Sequence, residues 1–357
     1  MIRSTENSSL IKIAALLIII AGMFYAKAII TPMLLALFIS IICIQPITWL
    51  EKKGVPGWLS IMLVILGLIL FFALFTVLIG STITSFLANV PTYKSSLSDI
   101  FKSGISYLHE KGFVFENQQG PKILQPEKIL EFTATALNNL IGMMGNAFLI
   151  VLTVLFILTE FDSFPVKAKA IVGGSGESIA YFSIIIKNIR QYLWIKTLVG
   201  LLTGIITYIS LLIIGLDYPI LWALIAFLLN YIPNIGSVIA TIPTAIFALV
   251  QLGIGGAIWT LISLMLIHNI IGNFLEPRIM GKGLGLSTLV VFLSLIFWGF
   301  IFGTVGMFLS VPITMTLKII LEQNDDTRWL ALLLGTPAEA KNFIQQEEQA
   351  KAIRSEK

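Results

Sequence analysis

Long uninterrupted apolar runs are the feature that most restricts the fold of this chain. The runs "LIKIAALLIIIAGMFYA", "SIMLVILGLILFFALFTVLIG" and "LIGMMGNAFLIVLTVLFIL" each approach or exceed the roughly 20 residues that cross a bilayer core. Only 12% of the 357 residues are charged, whereas soluble domains carry about 25%. Because lipid cannot hydrogen-bond to the backbone, each segment must satisfy its own peptide groups, which favours helices. The sequence therefore predicts an all-α, polytopic helical membrane protein.

The hydropathy pattern divides the chain, taken as a single membrane domain over residues 1–357, into apolar segments and polar connections. About eight hydrophobic segments are expected, at residues 9–26, 28–50, 58–86, 137–159, 197–215, 219–250, 255–275 and 286–321. Three polar parts remain: an insert at 87–136, a loop with an amphipathic surface helix at 160–196, and a C-terminal tail at 322–357. Within the tail, the apolar stretch "RWLALLLG" is expected to dock on the protein or on the membrane.

Basic residues in the connections predict the orientation. Cytoplasmic loops are enriched in Lys and Arg, and such residues occur after the second segment, in the 160–196 loop and in the tail. This distribution places the N- and C-termini in the cytoplasm and makes the 87–136 insert external. The five lysines of that insert reduce the bias.

Two C-terminal segments are too long for one straight span. At about 1.5 Å per residue, segments 219–250 and 286–321 would each extend well beyond a ~30 Å core. Both are interrupted, the first at Pro233–Gly236 and the second within "WGFIFGTVG". They either tilt and bend or fold back as re-entrant hairpins, and paired broken elements indicate the midplane site of a transporter.

A polar stripe is expected on the segment between these two breaks. Asn269, Asn273 and Glu276 are spaced i, i+4 and i+7, which places them on one helix face, and His268 is adjacent. The stripe could line a solute path with His268 or Glu276 exchanging protons. Alternatively, it could supply interhelical hydrogen bonds, and Pro277 could end the helix.

Three other charged residues are expected to act as interface anchors. Asp217 is predicted to end a helix at the membrane surface, and Arg278 to pair at the headgroups. Lys318 is predicted to extend its ammonium group toward water.

The sequence contains no signature of an enzyme. It has no G-x-x-x-x-G-K-[ST], no H-E-x-x-H and no G-x-S-x-G, and it contains two histidines and one cysteine. No metal site, cofactor or nucleic-acid partner is therefore expected. Transport by such a chain would be driven by an ion gradient or by the gradient of the solute itself.

Nearly the whole chain resembles a known family, and the most specific similarity lies in the C-terminal half. The stretches "GLDYPILWALIAFLLNYIPNIGSVIATIPTAIFALVQLG" and "NFLEPRIMGKGLGLSTLVVFLSLIFWGFIFGTVGMFLSVPITMTLKIILE" are similar to the autoinducer-2 exporter family of bacterial permease-type transporters. The resemblance implies bent helical hairpins and a homo-oligomer, with a pentamer as a candidate. It implies export of the quorum-sensing signal autoinducer-2, or sodium(lithium)/proton antiport in other members. Asn234 and Ile235 depart from the Tyr or Val that often follows the break proline.

These features together predict an inner-membrane secondary transporter that exports a small polar solute such as autoinducer-2. A sodium(lithium)/proton antiporter, a channel-like pore and a non-transport scaffold are the alternatives. The scarcity of carboxylates in the C-terminal segments favours a neutral solute over cation exchange. The expected partners are a small-molecule or ion substrate and the lipid bilayer. The predicted path comprises Asn230, Pro233, Asn234, Gly236, His268, Asn269, Asn273, Glu276, Gly299, Gly303, Gly306 and Pro312.

Overall fold

The structure, a computed structural model, is helical throughout the part of the chain that it describes. The described residues are 3–111, 128, 131, 133–135, 137, 138, 142, 146–161, 163, 166, 167, 176–233, 235–280, 285–323, 326–341 and 343–345. They contain no strand. Five of their helices are long and apolar enough to cross a membrane, and two shorter apolar helices accompany them. The predicted fold class is confirmed.

The described helices follow one another along the chain. Their bounds are α1 Arg3–Tyr25, α2 Lys27–Lys52, α3 Gly57–Glu110, α4 Ala147–Glu160, α5 Gly176–Ile214, α6 Pro219–Leu229, α7 Ile235–His268, a π-helix at Asn269–Leu275, α8 Glu276–Met280, α9 Thr288–Glu322 and α10 Arg328–Leu334. The chain divides into two compact units. One comprises Met1–Val64, Leu149–Trp194 and Gly281–Lys357, and the other comprises Ile65–Phe148 and Ile195–Met280.

Two predicted boundaries differ from the structure. Helix α3 does not end at residue 86 but continues to Glu110, into the predicted insert. Helix α5 runs unbroken from Gly176 to Ile214, so the predicted surface helix and the predicted span from residue 197 are one element. Polar residues can continue an α-helix in both places. A hydropathy profile marks only the apolar part of such a helix, so it does not show where the helix itself begins or ends. Much of the 87–136 insert lies outside the described residues.

The segment after α5 folds back on itself as a helical hairpin, called hairpin 1 here and formed by α6 and the first part of α7. The backbone N–H of Asp217 donates to Gln251 Oε1 at 2.8 Å, and Gln251 Nε2 donates to the Gly215 carbonyl at 3.2 Å. The two ends of the segment therefore meet. Trp222 and Phe247, both buried, pack across the hairpin with ring centroids 5.3 Å apart.

Helix α7 contains a second break, which ends hairpin 1. Gly253 has φ 73° and ψ −168°, a conformation that side chains disfavour. This glycine separates the returning arm of hairpin 1 from the following rod, which continues through the π-helix to Met280. The predicted division between segments 219–250 and 255–275 falls here.

Helix α9 forms hairpin 2, which turns at Gly303. That glycine has φ 65° and ψ −145°. Across the hairpin, Trp298 Nε1 donates to Thr314 Oγ1 at 3.0 Å, although the two residues lie sixteen positions apart in the sequence. At the open end, Lys318 Nζ donates to the Gly285 carbonyl at 2.7 Å. Both over-long segments are therefore hairpins, and the predicted breaks are confirmed.

The tail helix α10 packs on α9 within the same unit. The Ser287 N–H donates to the Leu334 carbonyl at 3.1 Å, and Ala331 is buried. The predicted docking of "RWLALLLG" on the protein is therefore confirmed. Helices α1 and α2 also contact α9, with Phe24 stacked on Phe300 at 5.4 Å between ring centroids.

Candidate functional site: a polar cavity at the tip of hairpin 1

A polar cavity of about 270 Å³ lies in the second unit, beside the tip of hairpin 1. Six predicted path residues line it, from two distant stretches of sequence: Asn230, Pro233, His268, Asn269, Asn273 and Glu276. The remaining lining residues are Lys196, Ile232, Ser237 and Gly272. The structure thus joins the hairpin tip and the polar stripe, which the sequence identified separately.

The hairpin tip is shaped by proline and glycine chemistry. Helix α6 ends at Leu229, and the Tyr231 and Ile232 amides donate to the Leu228 and Leu229 carbonyls in tight turns. Pro233 has no N–H to continue the helix. Gly236 is required for a different reason, because a Cβ there would lie 1.8 Å from the Leu229 carbonyl oxygen. The predicted path residue Asn234 lies outside the described residues.

A buried ion pair closes one side of the cavity. Lys196 Nζ lies 2.5 Å from Glu276 Oε1 and donates to the Asn230 carbonyl at 3.1 Å. The side chain of Lys196 is 3% exposed and that of Glu276 is 15% exposed. Charges at this depth are stable only when paired and hydrogen-bonded. The pair also satisfies a backbone carbonyl that the helix break leaves without a partner in α6.

Two further polar groups of the cavity have no partner. Asn230 Nδ2 and His268 Nε2 are buried and make no hydrogen bond to any described residue. Buried polar atoms are nearly always hydrogen-bonded. A cavity of this size can hold water or a small polar molecule that supplies the missing partners.

The polar stripe lies on a widened helical turn. Residues Asn269–Leu275 form the π-helix, and the Glu276 N–H bonds to the Ile271 carbonyl five residues back. Asn273 Nδ2 donates to Asn269 Oδ1 at 2.9 Å, so the predicted alignment is confirmed. The interhelical alternative is supported for Glu276, which pairs with Lys196 of α5, whereas Asn269 donates to the Met265 carbonyl on its own helix.

The proposal that Pro277 ends this helix is wrong. Helix α8 continues from Glu276 to Met280. The π-helix just before the proline explains the continuation, because the wider turn moves aside the carbonyl that the ring would otherwise meet. Single π-helical turns often occur at functional sites. The sequence gives only a weak indication of the π-helix at Asn269–Leu275.

The remaining path residues lie in hairpin 2, in the other unit. Gly303 forms its tip, while Gly299, Gly306 and Pro312 are buried within it. Gly306 faces the Trp298 carbonyl oxygen, which a Cβ would approach to 1.9 Å. Their role in a solute path stays a prediction.

Of the three predicted anchors, Lys318 behaves differently from expectation. It does not extend to water, because its side chain is 8% exposed and its ammonium group pairs with Glu339 at 2.6 Å and Glu322 at 3.4 Å. The docked tail supplies Glu339 and so removes the need for an aqueous partner. Asp217 and Arg278 are exposed, and their anchoring role stays a prediction.

Lys196 is the site residue that sequence reasoning missed. It was assigned to the loop because the predicted span began one residue later. A signal was present: Lys196 follows Leu193 by three positions and Ile189 by seven, on the apolar face of the amphipathic pattern, and both leucine and isoleucine are buried. A lone cation on a buried face indicates an ion pair.

Comparisons with known proteins agree with this architecture. Residues 13–325 match the AI-2E family transporter family. The chain is 40% identical over 335 residues to a Haemophilus influenzae protein named "Putative transport protein", covering 92% of this chain and 96% of that one. It is 37% identical to the AI-2 transport protein TqsA of Escherichia coli K12, covering 91% and 94% of the two chains. It is 36% identical to "Putative transport protein YhhT" of the same organism, covering 91% and 93%. These relatives are transport proteins rather than enzymes, and the chain belongs to the AI-2E family of membrane transporters.

Proposed function

We propose that this membrane transporter exports a small, neutral, hydroxyl-bearing solute through the cavity at the tip of hairpin 1, and that autoinducer-2 is that solute. The observation that carries the proposal is the lining of the cavity. Asn230 and His268, whose buried Nδ2 and Nε2 have no partner among the described residues, line it beside the Asn269–Asn273 pair. Such groups bind hydroxyl and carbonyl groups by hydrogen bonds.

Charge and volume restrict the solute. Lys196 and Glu276 neutralise each other, so the lining attracts neither cations nor anions strongly. The cavity of about 270 Å³ lies just below the usual range for sites of drug-sized ligands. Both properties fit a small neutral molecule. The 37% identity to a protein named for AI-2 transport supports autoinducer-2 in particular.

The mechanism follows from the broken helix. The tip of hairpin 1 is a series of short turns rather than a continuous helix, and its carbonyl at Asn230 is held by Lys196. Movement of this tip away from the polar stripe would open the cavity on one side of the membrane. Discontinuous helices serve this purpose in secondary transporters. A bacterial inner-membrane location with cytoplasmic termini, and assembly as a homo-oligomer, complete the proposal.

An efflux assay tests the solute. In a bacterial strain without its own autoinducer-2 exporter, the wild-type chain should raise extracellular autoinducer-2. Asn230→Leu and Asn273→Leu should reduce that efflux severalfold. Leu266→Ala and Ile270→Ala are matched controls, because these exposed apolar residues lie on the same rod as the stripe. Wild-type efflux equal to that of the empty strain, at equal membrane expression, would remove autoinducer-2 as the solute.

The presence of Glu276 in the cavity favours sodium(lithium)/proton antiport as the second candidate. Intramembrane carboxylates commonly exchange protons or cations. Proteoliposomes that show sodium-dependent proton movement, abolished by Glu276→Gln, would favour antiport.

Membrane-impermeant labelling of a cysteine placed at Arg278, in a Cys43→Ser background, tests the orientation of the chain.

A further inference from the structure

We infer that the Lys196 ammonium occupies a binding site for a monovalent metal cation, and that Na⁺ or Li⁺ binds at this position when the ammonium is absent. The site consists of the Glu276 carboxylate and the Asn230 carbonyl at the end of α6. This inference goes beyond the proposed export of a neutral solute, because it concerns a bound cation and not that solute. It also explains how this transporter could function without a bound metal cation at this position, because the Lys196 ammonium takes its place.

The ligands of the ammonium are those of a small hard cation. Lys196 Nζ contacts a carboxylate oxygen at 2.5 Å and a backbone carbonyl oxygen at 3.1 Å. A lysine ammonium is a compact point charge, unlike the planar guanidinium of arginine. Oxygens that converge on such a charge can also bind a spherical metal ion.

The helix break adds to the negative potential at this point. Asn230 is the C-terminal cap of α6, and the C-terminus of a helix carries a partial negative charge. In transporters with discontinuous helices, half-helix C-terminal ends and unwound carbonyls coordinate the coupling cation. The ammonium lies at an equivalent place in hairpin 1.

The burial of the ion pair and the polar cavity beside it favour binding of a cation once the ammonium is absent. The Lys196 side chain is only 3% exposed and that of Glu276 is 15% exposed. If the ammonium is removed, no other cationic side chain among the described residues lies within ion-pair distance of the Glu276 carboxylate, and little solvent reaches it. The resulting charge has to be neutralised by a proton or by an entering ion. The adjoining cavity, which Asn230 and His268 also line, gives an ion and its waters room to enter.

Ion-specific stability of a variant tests the inference without any solute. Full-length Lys196→Met, purified in detergent, should have a thermal unfolding midpoint several degrees higher in NaCl or LiCl than in choline chloride of equal ionic strength. Methylammonium chloride should also raise the midpoint, because it restores an ammonium. The wild-type protein and the double variant Lys196→Met/Glu276→Gln should show no such difference.

Lys187→Met is the matched control, because Lys187 is an exposed lysine on the same helix. Its midpoint should be equal in all of these salts. If Lys196→Met can be recovered folded only in NaCl or LiCl, the inference is supported. Equal midpoints in every salt, an ion effect that persists in the double variant, or failure to fold in all of the salts would each overturn it. Because autoinducer-2 is absent from this assay, its outcome is separate from that of the efflux experiment.

Discussion

The two hairpins share a topology but differ in where they place their charges. Hairpin 1 turns through several residues around Pro233 and holds the Lys196–Glu276 pair at its tip. Hairpin 2 turns at the single residue Gly303 and has Lys318 at its open end, paired with Glu339 of the docked tail. Between tip and open end, hairpin 2 is closed by apolar residues and by the Trp298–Thr314 hydrogen bond.

The two breaks therefore differ in the side chains that surround them. Near both breaks the backbone approaches a glycine too closely for a side chain, at Gly236 and at Gly306. At the broken end of hairpin 1 the structure places a polar cavity. The side chains that face the break therefore carry the evidence for a function. The break itself supplies a backbone group that they bind, such as the Asn230 carbonyl.

The largest expected effect comes from the charge at the tip of hairpin 1. In choline buffer, Lys196→Met should destabilise the protein by about 3–5 kcal/mol, because the partner carboxylate is left buried. Autoinducer-2 efflux should be lost as well. Lys318→Met in hairpin 2 should cost about 1 kcal/mol or less, because solvent screens its half-exposed partners. Thermal unfolding of the two purified variants measures both changes.

The double variant Lys196→Met/Glu276→Gln provides the control for that comparison. Its destabilisation should be smaller than the sum of the two single changes, because no unpaired charge remains. If Lys318→Met proved as costly as Lys196→Met, the distinction between the two hairpins in burial of charge would be lost.

A smaller effect is expected from the glycines that let each hairpin close. Gly236→Ala and Gly306→Ala place a Cβ within 1.8 Å and 1.9 Å of a carbonyl oxygen. The backbone has to move, at a cost of about 1–3 kcal/mol in each hairpin. Gly255→Ala is the control, because no atom lies within 4 Å of its Cβ. Chemical or thermal unfolding should show similar losses for the first two variants.

Unequal losses would sharpen the comparison. If Gly306→Ala were tolerated while Gly236→Ala was not, hairpin 2 would be the more deformable element. The steric argument would fail for both hairpins if Gly255→Ala proved as destabilising as the two tight positions.

The smallest effect on stability is expected from breaking an exposed ion pair that lies outside the cavity. Lys94 Nζ lies 2.5 Å from Glu131 Oε1, and this hydrogen bond and charge lower the pKa of the Glu131 carboxyl. The pair therefore adds stability above the ordinary glutamate pKa of about 4.3 and loses it as the pH falls through the lowered value.

Glu131→Gln should shift the thermal midpoint only slightly at neutral pH and less at about pH 3, because the pair loses its contribution as the pH falls through the lowered pKa. Thermal scans of both proteins at the two pH values measure this. A shift as large as that of Lys196→Met would contradict the view that burial, and not the presence of an ion pair, sets the energetic effect.

Much of the site could be predicted because its residues are unusual for their surroundings. Asn269, Asn273 and Glu276 stand out among apolar neighbours, and Pro233 interrupts an apolar run that is too long for one span. Their shared helix face follows from helical periodicity alone. The role of Lys196 is missed because hydropathy places a boundary between residues 196 and 197, inside the continuous helix α5.

The sequence by itself determined the helical membrane class, both broken segments and the polar stripe, since these follow from hydropathy, backbone donors and helical spacing. Only the tertiary structure decided that Lys196 crosses to Glu276, that Pro277 continues a helix behind a π-turn, and that Lys318 is buried by the tail. The physical reason is that each of these outcomes is set by a partner distant in sequence, or by a local widening of the helix. Periodicity contains no information about either.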